Sequence, residues 1–500
     1  MFEGKDVKVI LANAGAGKTA YAIKDISKEL LTRRPEEVAF VTFTRKGAEE
    51  GLRRVCSKLR YEPDDLPYFR TLHSLTFHAL NLKANQMFGR IDQRKFNSMY
   101  GYNVNRVEVD TRKVSPTKDS LYLDFYDMER AGALTSKQLV EADIEMGYYS
   151  QIVQKYEEYK SSKCLVDFFD CLIKYVQSGS SLPCKVVYVD ECQDLSALQW
   201  KVIDTAFKNA EKIVLLGDDK QSIFMYSGAR PDYLIDFAKH FPVIPLVKSY
   251  RIPMAVYRLA KAIVNFIGDK TDTPFEPRAE NGEGSVTQLN NIDRLKNFIA
   301  VDELYNDKDK TKWYILSRNN CFLEYPIKML EENLIPYWTS EGFFMGGEIM
   351  KRIKDYEGFR LEGYKDEVKR KAFMDKFGIE DFSVPFTETN LFTEDRKWVY
   401  ASYIEKYGLE ALKDMCKWNP QVLVSTIHQV KGGEAENVAV MLDATGRTKG
   451  NIFNNIDEEL RILYVGITRA KKNLYLIDSM NGNGFDNVIQ TIKEENGLDF

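Results

Sequence analysis

Short apolar runs that stop at turn or charged residues recur along this chain, and stretches with helical spacing separate them. Val7 to Leu11 is the first such run, and helical spacing follows from Tyr21 to Leu31. Val38-Ala-Phe-Val-Thr-Phe, Lys185-Val-Val-Tyr-Val-Asp-Glu and Lys212-Ile-Val-Leu-Leu-Gly repeat the pattern, as do Trp313–Ser317, Val422–Ser425, Val438–Leu442 and Asn473–Ile477. Continuous Val, Ile and Leu runs, without polar alternation, mark strands buried on both faces of a parallel sheet. The pattern therefore predicts an α/β fold of parallel sheets flanked by helices. Two tracts depart from it. Residues 85–164 are polar, basic and Tyr-rich and predict a mostly helical insertion. Residues 346–419, dense in Lys, Arg, Asp and Glu, predict charged helical segments. A helix is expected from Asp457 to Lys472, carrying Arg461 and Arg469.

Chemistry concentrates where the runs end. Between the first strand and helix lies Ala12-Asn-Ala-Gly-Ala-Gly-Lys-Thr19. Strand, Gly-rich turn and helix start are the context that a phosphate-binding loop requires. Backbone N–H groups of Ala14, Gly15, Ala16 and Gly17 can close around phosphate oxygens. Lys18 adds a charge for the β- and γ-phosphates, and the Thr19 hydroxyl can hold Mg²⁺. The strict pattern opens on Gly, and here Ala12 opens it. Where the Lys185–Glu191 run ends, Asp190 and Glu191 form a Walker B arrangement, Asp190 for Mg²⁺ and Glu191 to orient or deprotonate water. Beyond the Lys212–Gly217 run, Gln221 can face a γ-phosphate, and Phe224 and Tyr226 can serve as a platform for stacked bases. A strand-core role fits Phe224 equally and Tyr226 less, since Ser227-Gly228 follows it. Thr42 to Glu50 opens a helix bearing Arg45, Lys46, Arg53 and Arg54, a phosphate site or a solvated face.

Composition narrows this only modestly. The 500 residues, 44% hydrophobic and 12% aromatic, suffice for several packed domains. The net charge of −4 gives no basic bias, so phosphate-backbone binding would need local basic stripes. Seven scattered cysteines without a C-x-x-C fit a reducing compartment and argue against an iron–sulfur or zinc site. No run reaches the roughly 18 apolar residues of a membrane span. Met1 leads into Glu3, Lys5 and Asp6 rather than a signal-peptide core, so a cytoplasmic protein without a membrane partner is expected.

Taken in order, these stretches resemble the motifs of the UvrD/Rep/PcrA group of superfamily 1 helicases. Ala12–Thr19 resembles motif I, Thr42–Glu50 motif Ia and Arg70-Thr-Leu-His-Ser motif Ib. Val189-Asp-Glu-Cys-Gln-Asp is similar to motif II, Gly217–Ala229 to motif III and Ser249-Tyr-Arg to motif IV. Ser425–Glu434 is similar to motif V and Glu459–Ala470 to motif VI. The resemblance implies two RecA-like motor domains with ATP and Mg²⁺ between them: 1–84 with 165–245, and 246–345 with 420–500. Residues 85–164 would be the 1B insertion and 346–419 a shortened 2B insertion. It further implies that Arg251 and Arg469 reach the γ-phosphate from the second domain. Tyr250 would stack on the adenine, and Glu434 would contact the ribose or link nucleotide to strand. Thr44, Lys46, His73, Phe224, Tyr226 and His428 would line the nucleic-acid path.

Several positions depart from the family pattern. A motif I Gly is Asn13, which tolerates left-handed geometry better than most residues. The motif Ib aromatic is Leu72. The motif III Trp-Arg is Tyr226-Ser227. The expected activity is ATP-dependent translocation on single-stranded DNA, 3′ to 5′, with unwinding at duplex junctions and with replication or repair proteins as further partners. Two alternatives stay open: an ATP-driven protein-displacing or adaptor module that unwinds little, and an RNA-directed translocase.

Overall fold

The two faces of each strand divide the apolar runs between them. In the computed structural model, which describes residues 1–105, 117–134, 144–300, 311–361, 366–480, 482 and 484–500, β1 (Asp6–Ala12) turns Val7, Val9 and Leu11 one way and Ile10 the other. β2 (Val38–Thr42) sends Ala39 and Val41 to the first face and Val38 and Phe40 to the second. After β3 (Phe69–Thr71), β4 (Val186–Asp190) and β5 (Lys212–Gly217) split in the same way. Helices Lys18–Glu29 and Arg45–Leu59 cover the Ile10 face, through Ile23, Ile26 and Val55. Leu72–Ala79, Phe168–Ser178 and Ala197–Ala206 cover the other, through Leu75, Leu172 and Trp200. Both faces are covered, so polar residues enter these central strands mainly near their ends, as Asp6 and Lys8 do in β1 and Lys212 does in β5.

With β6 (Val243–Leu246), the strand order is β3-β2-β4-β5-β1-β6, and all pairs are parallel. β3 and β6 are edges that the apolar pattern does not mark. One has three residues, and the other contains Pro245, whose missing N–H is tolerated at an edge.

The chain divides into two compact units, Met1–Gly284 with Arg447–Lys472 and Ile492–Asp499, and Ser285–Gly446 with Asn473–Thr491 and Phe500. Within the first unit, helices Arg90–Tyr100, Lys118–Ala131 and Met146–Ser162 enclose their own core of Phe96, Tyr122, Leu123, Tyr149, Ile152, Tyr156 and Tyr159. At its base Arg130 meets Asp167 at 2.8 Å and Asp170 at 3.1 Å, while Lys160 meets the same carboxylates at 2.8 and 2.7 Å.

In the second unit the strand order is β12-β11-β13-β10-β14-β15-β9. These strands are β9 (Ser285–Leu289), β10 (Trp313–Ser317), β11 (Trp338–Thr339), β12 (Gly342–Phe343), β13 (Val422–Thr426), β14 (Ala435–Met441) and β15 (Ala470–Ile477). Helices Gly347–Leu361, Glu367–Phe377, Glu394–Tyr407 and Leu409–Met415 occupy the charged tract. Among the described residues they form no core of their own. One cluster runs from Trp313, Ile315, Val422 and Val424 of the sheet to Tyr356, Phe373, Phe382 and Tyr403.

Two expectations are corrected. The helix after Asp457 ends at Ile467, and β15 begins at Ala470 rather than Asn473. The Thr468 hydroxyl donates to the Tyr464 and Val465 carbonyls, and the Arg469 guanidinium also donates to Val465. Side chains thus satisfy carbonyls left open at the helix end, and the chain turns into the strand. Phe224 and Tyr226 are not strand residues, because Met225–Ser227 is a single 3₁₀ turn. Among the described residues no helix is long and apolar enough to cross a membrane.

Candidate nucleotide and nucleic-acid sites

The Gly-rich loop turns between β1 and the helix Lys18–Glu29 by using left-handed backbone at Gly15 (φ 72°) and Gly17 (φ 82°). A Cβ at Gly15 would stand 2.6 Å from the Arg251 Cβ and 2.9 Å from the Ser249 Oγ, so this position has neither the conformation nor the room for a side chain. The 249–251 segment lies directly on the loop. Ser249 Oγ donates to the Ala14 carbonyl (2.8 Å), and the Tyr250 N–H donates to the Gly15 carbonyl (2.9 Å). From the helix Ile456–Ile467, the Tyr464 hydroxyl accepts from the Ala14 N–H at 3.3 Å.

Asn13 does not use the left-handed geometry expected of it. Only Gly15 and Gly17 of the loop have positive φ. Asn13 is buried, and its amide donates to the Thr273 and Pro274 carbonyls at 3.4 and 3.2 Å. A hydrogen-bonding demand, which glycine could not meet, accounts for this residue.

Lys18, Thr19, Asp190 and Glu191 come together beyond the ends of β1 and β4, two strands with β5 between them. The Lys18 ammonium pairs with Glu191 at 3.1 Å, and the Thr19 hydroxyl lies 3.5 Å from the Asp190 carboxylate. Burial works against the charge of Lys18, but Glu191, Asp218 and Asp190 outweigh it and hold its pKa above the ordinary value. Burial, reinforced by the charge of Glu191 and opposed by Lys18, pushes Asp190 up to about 7. Glu191 has φ 52° and ψ 38°, left-handed backbone that a non-glycine residue adopts at a cost. A hydroxyl beside a dry carboxylate is an all-oxygen donor set that suits a hard divalent cation.

Gln221 ends the 3₁₀ turn Asp219–Gln221. Its amide N–H donates to Asp218 (2.6 Å), and its carbonyl oxygen accepts from Arg469 Nη2 (3.1 Å). Arg469 is 1% exposed. Arg251 is half-buried and reaches the Thr468 carbonyl at 3.5 Å. Arg461 ties the same turn down by donating to the Asp219 carbonyl at 3.1 Å. Tyr250 is 61% exposed, with its ring edge over Gly17. Glu434 is exposed just before β14, in the second unit.

Of the residues expected on the nucleic-acid path, five lie in the first unit. Thr44 caps the helix Arg45–Leu59 by accepting from the Gly47 N–H (3.1 Å), and Lys46 is exposed in its first turn. Phe43 packs on Phe224 with ring centroids 5.2 Å apart, and Phe224 on Tyr226 at 6.2 Å. Phe224 is buried and Tyr226 is 43% exposed. The buried Phe224 thus lies between half-buried Phe43 and the exposed ring of Tyr226. His73 lies edge-on to Phe168, and burial together with the charge of Arg45 pushes it down to about 4. His428 is half-buried in the turn after β13 of the second unit. Tyr464, Ser249 and Phe43 were not singled out by sequence. Tyr464 and Ser249 stand inside quoted motifs, but nothing local distinguishes a loop-binding hydroxyl from a core one.

Two family models match the chain: the UvrD/REP helicase N-terminal domain over residues 3–242, and the UvrD-like helicase C-terminal domain over residues 388–481. A probable DNA helicase II homolog of Mycoplasma pneumoniae is 22% identical over 605 aligned positions, covering 96% of this chain and 83% of that protein. The ATP-dependent DNA helicase Rep of Escherichia coli is 24% identical, covering 68% of this chain and 54% of its own length. The ATP-dependent DNA helicase PcrA of Bacillus subtilis is 24% identical over 55% of this chain and 39% of its own. Against the M. pneumoniae protein the aligned positions exceed the 500 residues of this chain, so that relative carries insertions here absent.

Proposed function

The chain belongs to the UvrD-like helicase family, and from that premise we propose that it couples ATP hydrolysis to 3′-to-5′ movement on single-stranded DNA and to strand separation at duplex junctions. One observation supports this above the others. Gln221, hydrogen-bonded to Arg469, stands three and five residues before Phe224 and Tyr226, so one short segment serves the nucleotide site and an exposed base-stacking surface.

In this reading the loop 14–19 takes the phosphates, and Lys18 exchanges Glu191 for a phosphate oxygen. Glu191, once released, is placed to orient water. Thr19 and Asp190 would hold Mg²⁺, which supplies charge neutralisation on the phosphates. Arg251 and Arg469 stabilise charge that develops in the transition state. Tyr250 stacks on the base and Glu434 contacts the ribose. Thr44, Lys46, His73, Tyr226 and His428 follow the strand. The motor and insertion boundaries at 84, 164, 245, 345 and 419 belong to the same proposal.

The test is ATPase rate with and without single-stranded DNA. Lys18→Ala should abolish turnover in a folded protein. Glu191→Gln should slow hydrolysis about 10²-fold or more while ATP still binds. Arg469→Ala should lower kcat far more than ATP affinity. Tyr226→Ala should weaken DNA binding about 5- to 150-fold, the worth of one stacked base, and spare the basal rate. A Gln variant as active as wild type would remove Glu191 from the reaction.

A second reading, protein displacement with little unwinding, is favoured by the tract 346–419, whose helices share one core with the second sheet. Forked and blunt substrates in a strand-separation assay distinguish the two. Competition between matched DNA and RNA oligonucleotides tests the choice of track.

A further inference from the structure

The segment after the helix Met254–Phe266 returns to the nucleotide site without any motif of its own. β7 (Lys248–Ser249) and β8 (Glu276–Pro277) pair in parallel, Lys248 with Glu276 and Ser249 with Pro277. The Arg278 N–H donates to the Ser249 carbonyl at 3.1 Å. The Asn281 amide then donates to the carbonyls of Ser249 (2.9 Å) and Ile252 (2.8 Å), on either side of Tyr250 and Arg251. This small ladder and its double hydrogen bond fix the loop that carries Tyr250.

The ladder also places a cation on the tyrosine. The Arg278 guanidinium lies 4.7 Å from the Tyr250 ring centroid and is anchored from behind by Glu280 at 2.8 Å. With one face so covered, Tyr250 is still 61% exposed, and its edge stands over Gly17 at the start of the phosphate loop. The open face is the one a base can take when phosphates occupy the loop. Two stacked π faces repel through their electron clouds, and a cation behind the first ring draws density away from the second.

We infer that Arg278 is a positioning residue for the nucleotide base: it backs Tyr250, holds the ring in place and favours stacking of a purine on the far face. This rests on the reading of Tyr250 as the base-stacking residue of an ATPase. A cation–π contact at an exposed site corresponds to about a 2- to 5-fold change in affinity.

The experiment measures KM and kcat for ATP and for CTP, with inorganic tripolyphosphate as a competitor that has no base. In Arg278→Ala the KM for ATP should rise about 2- to 5-fold with kcat held, and the preference for ATP over CTP should shrink. The inhibition constant of tripolyphosphate should stay where it is. In a Tyr250→Ala background the same change should add nothing. A merely structural role would move kcat and the tripolyphosphate constant together. An unchanged or lowered KM for ATP, equal losses for ATP and CTP, or full additivity with Tyr250→Ala overturns the inference alone. A wild-type chain that neither hydrolyses ATP nor responds to tripolyphosphate overturns the ATPase reading with it. Arg278→Gln replaces the alanine variant if that one loses its melting transition.

Discussion

The two helical insertions solve the same problem in opposite ways. The first, within residues 85–164, closes an aromatic core of its own and meets the sheet unit through a buried ionic knot of Arg130, Lys160, Asp167 and Asp170. The second, 346–419, shows no separate core among its described residues, and its aromatics continue the core of the second sheet. The Tyr403 hydroxyl donates to the Leu330 and Ile335 carbonyls at 3.2 and 2.8 Å, and Arg396 pairs with Glu331 at 2.6 Å. An insertion with its own core can melt or move as a body. One that shares a core cannot leave without opening the domain it sits on.

Tyr403→Ala should give the largest effect. Tyr403 is fully buried, and removing its ring costs about 3–5 kcal/mol on the scale of buried aromatics. Hydrogen exchange should rise together in Glu394–Tyr407, β10 and β13. Exchange confined to residues 394–407 would mean that the insertion is independent after all. Phe96→Ala removes an equally buried ring from the first insertion, with a similar local cost. Here the increase should stay within Arg90–Tyr100 and Met146–Ser162, and binding of a fluorescent ATP analogue should survive. Loss of nucleotide binding in a protein with an intact sheet would erase the contrast.

Asp167→Asn is a smaller perturbation, about 2–3 kcal/mol, because it leaves Arg130 and Lys160 short of one negative partner. It also carries a pH signature. Burial disfavours the Asp167 charge, but Arg130 and Lys160 outweigh it and hold the carboxyl well below the usual carboxylate range. A depressed carboxylate contributes its stability above the unfolded value of about 4 and loses it as pH falls below that. Wild type should therefore lose stability steeply below pH 4, and Asp167→Asn should show a shallower slope there. Parallel curves would show that the knot does not depend on this charge.

Much of this architecture is legible in the sequence because burial on both faces leaves a plain signal. Val186–Val189 and Ile213–Leu216 are apolar without interruption, and strand ends announce themselves by Asp190, Glu191 and Gln221. Edge strands leave no such mark: Phe69–Thr71 is too short to show a period, and Val243–Leu246 contains a proline. The extent of a helix was also hidden where side chains cap it, as Thr468 and Arg469 do. The sequence offers candidate site residues one by one, but the hydroxyl of Tyr464 and the amide of Asn13 act across hundreds of positions, where no local pattern reaches. The shared core of 346–419 was masked for a similar reason. Its charges are dense along the chain, while the aromatics that join the sheet are spaced among them.

The hydrogen bond between Ala14 and Tyr464 spans 450 residues of chain. During synthesis the Gly-rich loop leaves the ribosome first, and the hydroxyl that holds it is made last. At 5–20 residues per second the wait is about 20–90 seconds. The first sheet is complete once β6 is made, and the 249–251 segment follows it directly, so for the rest of that interval the loop still lacks the Tyr464 hydroxyl. The candidate phosphate loop thus gains its second clamp late, and a nascent chain arrested near residue 450 should present a folded sheet whose loop is held by the 249–251 segment and not yet by Tyr464.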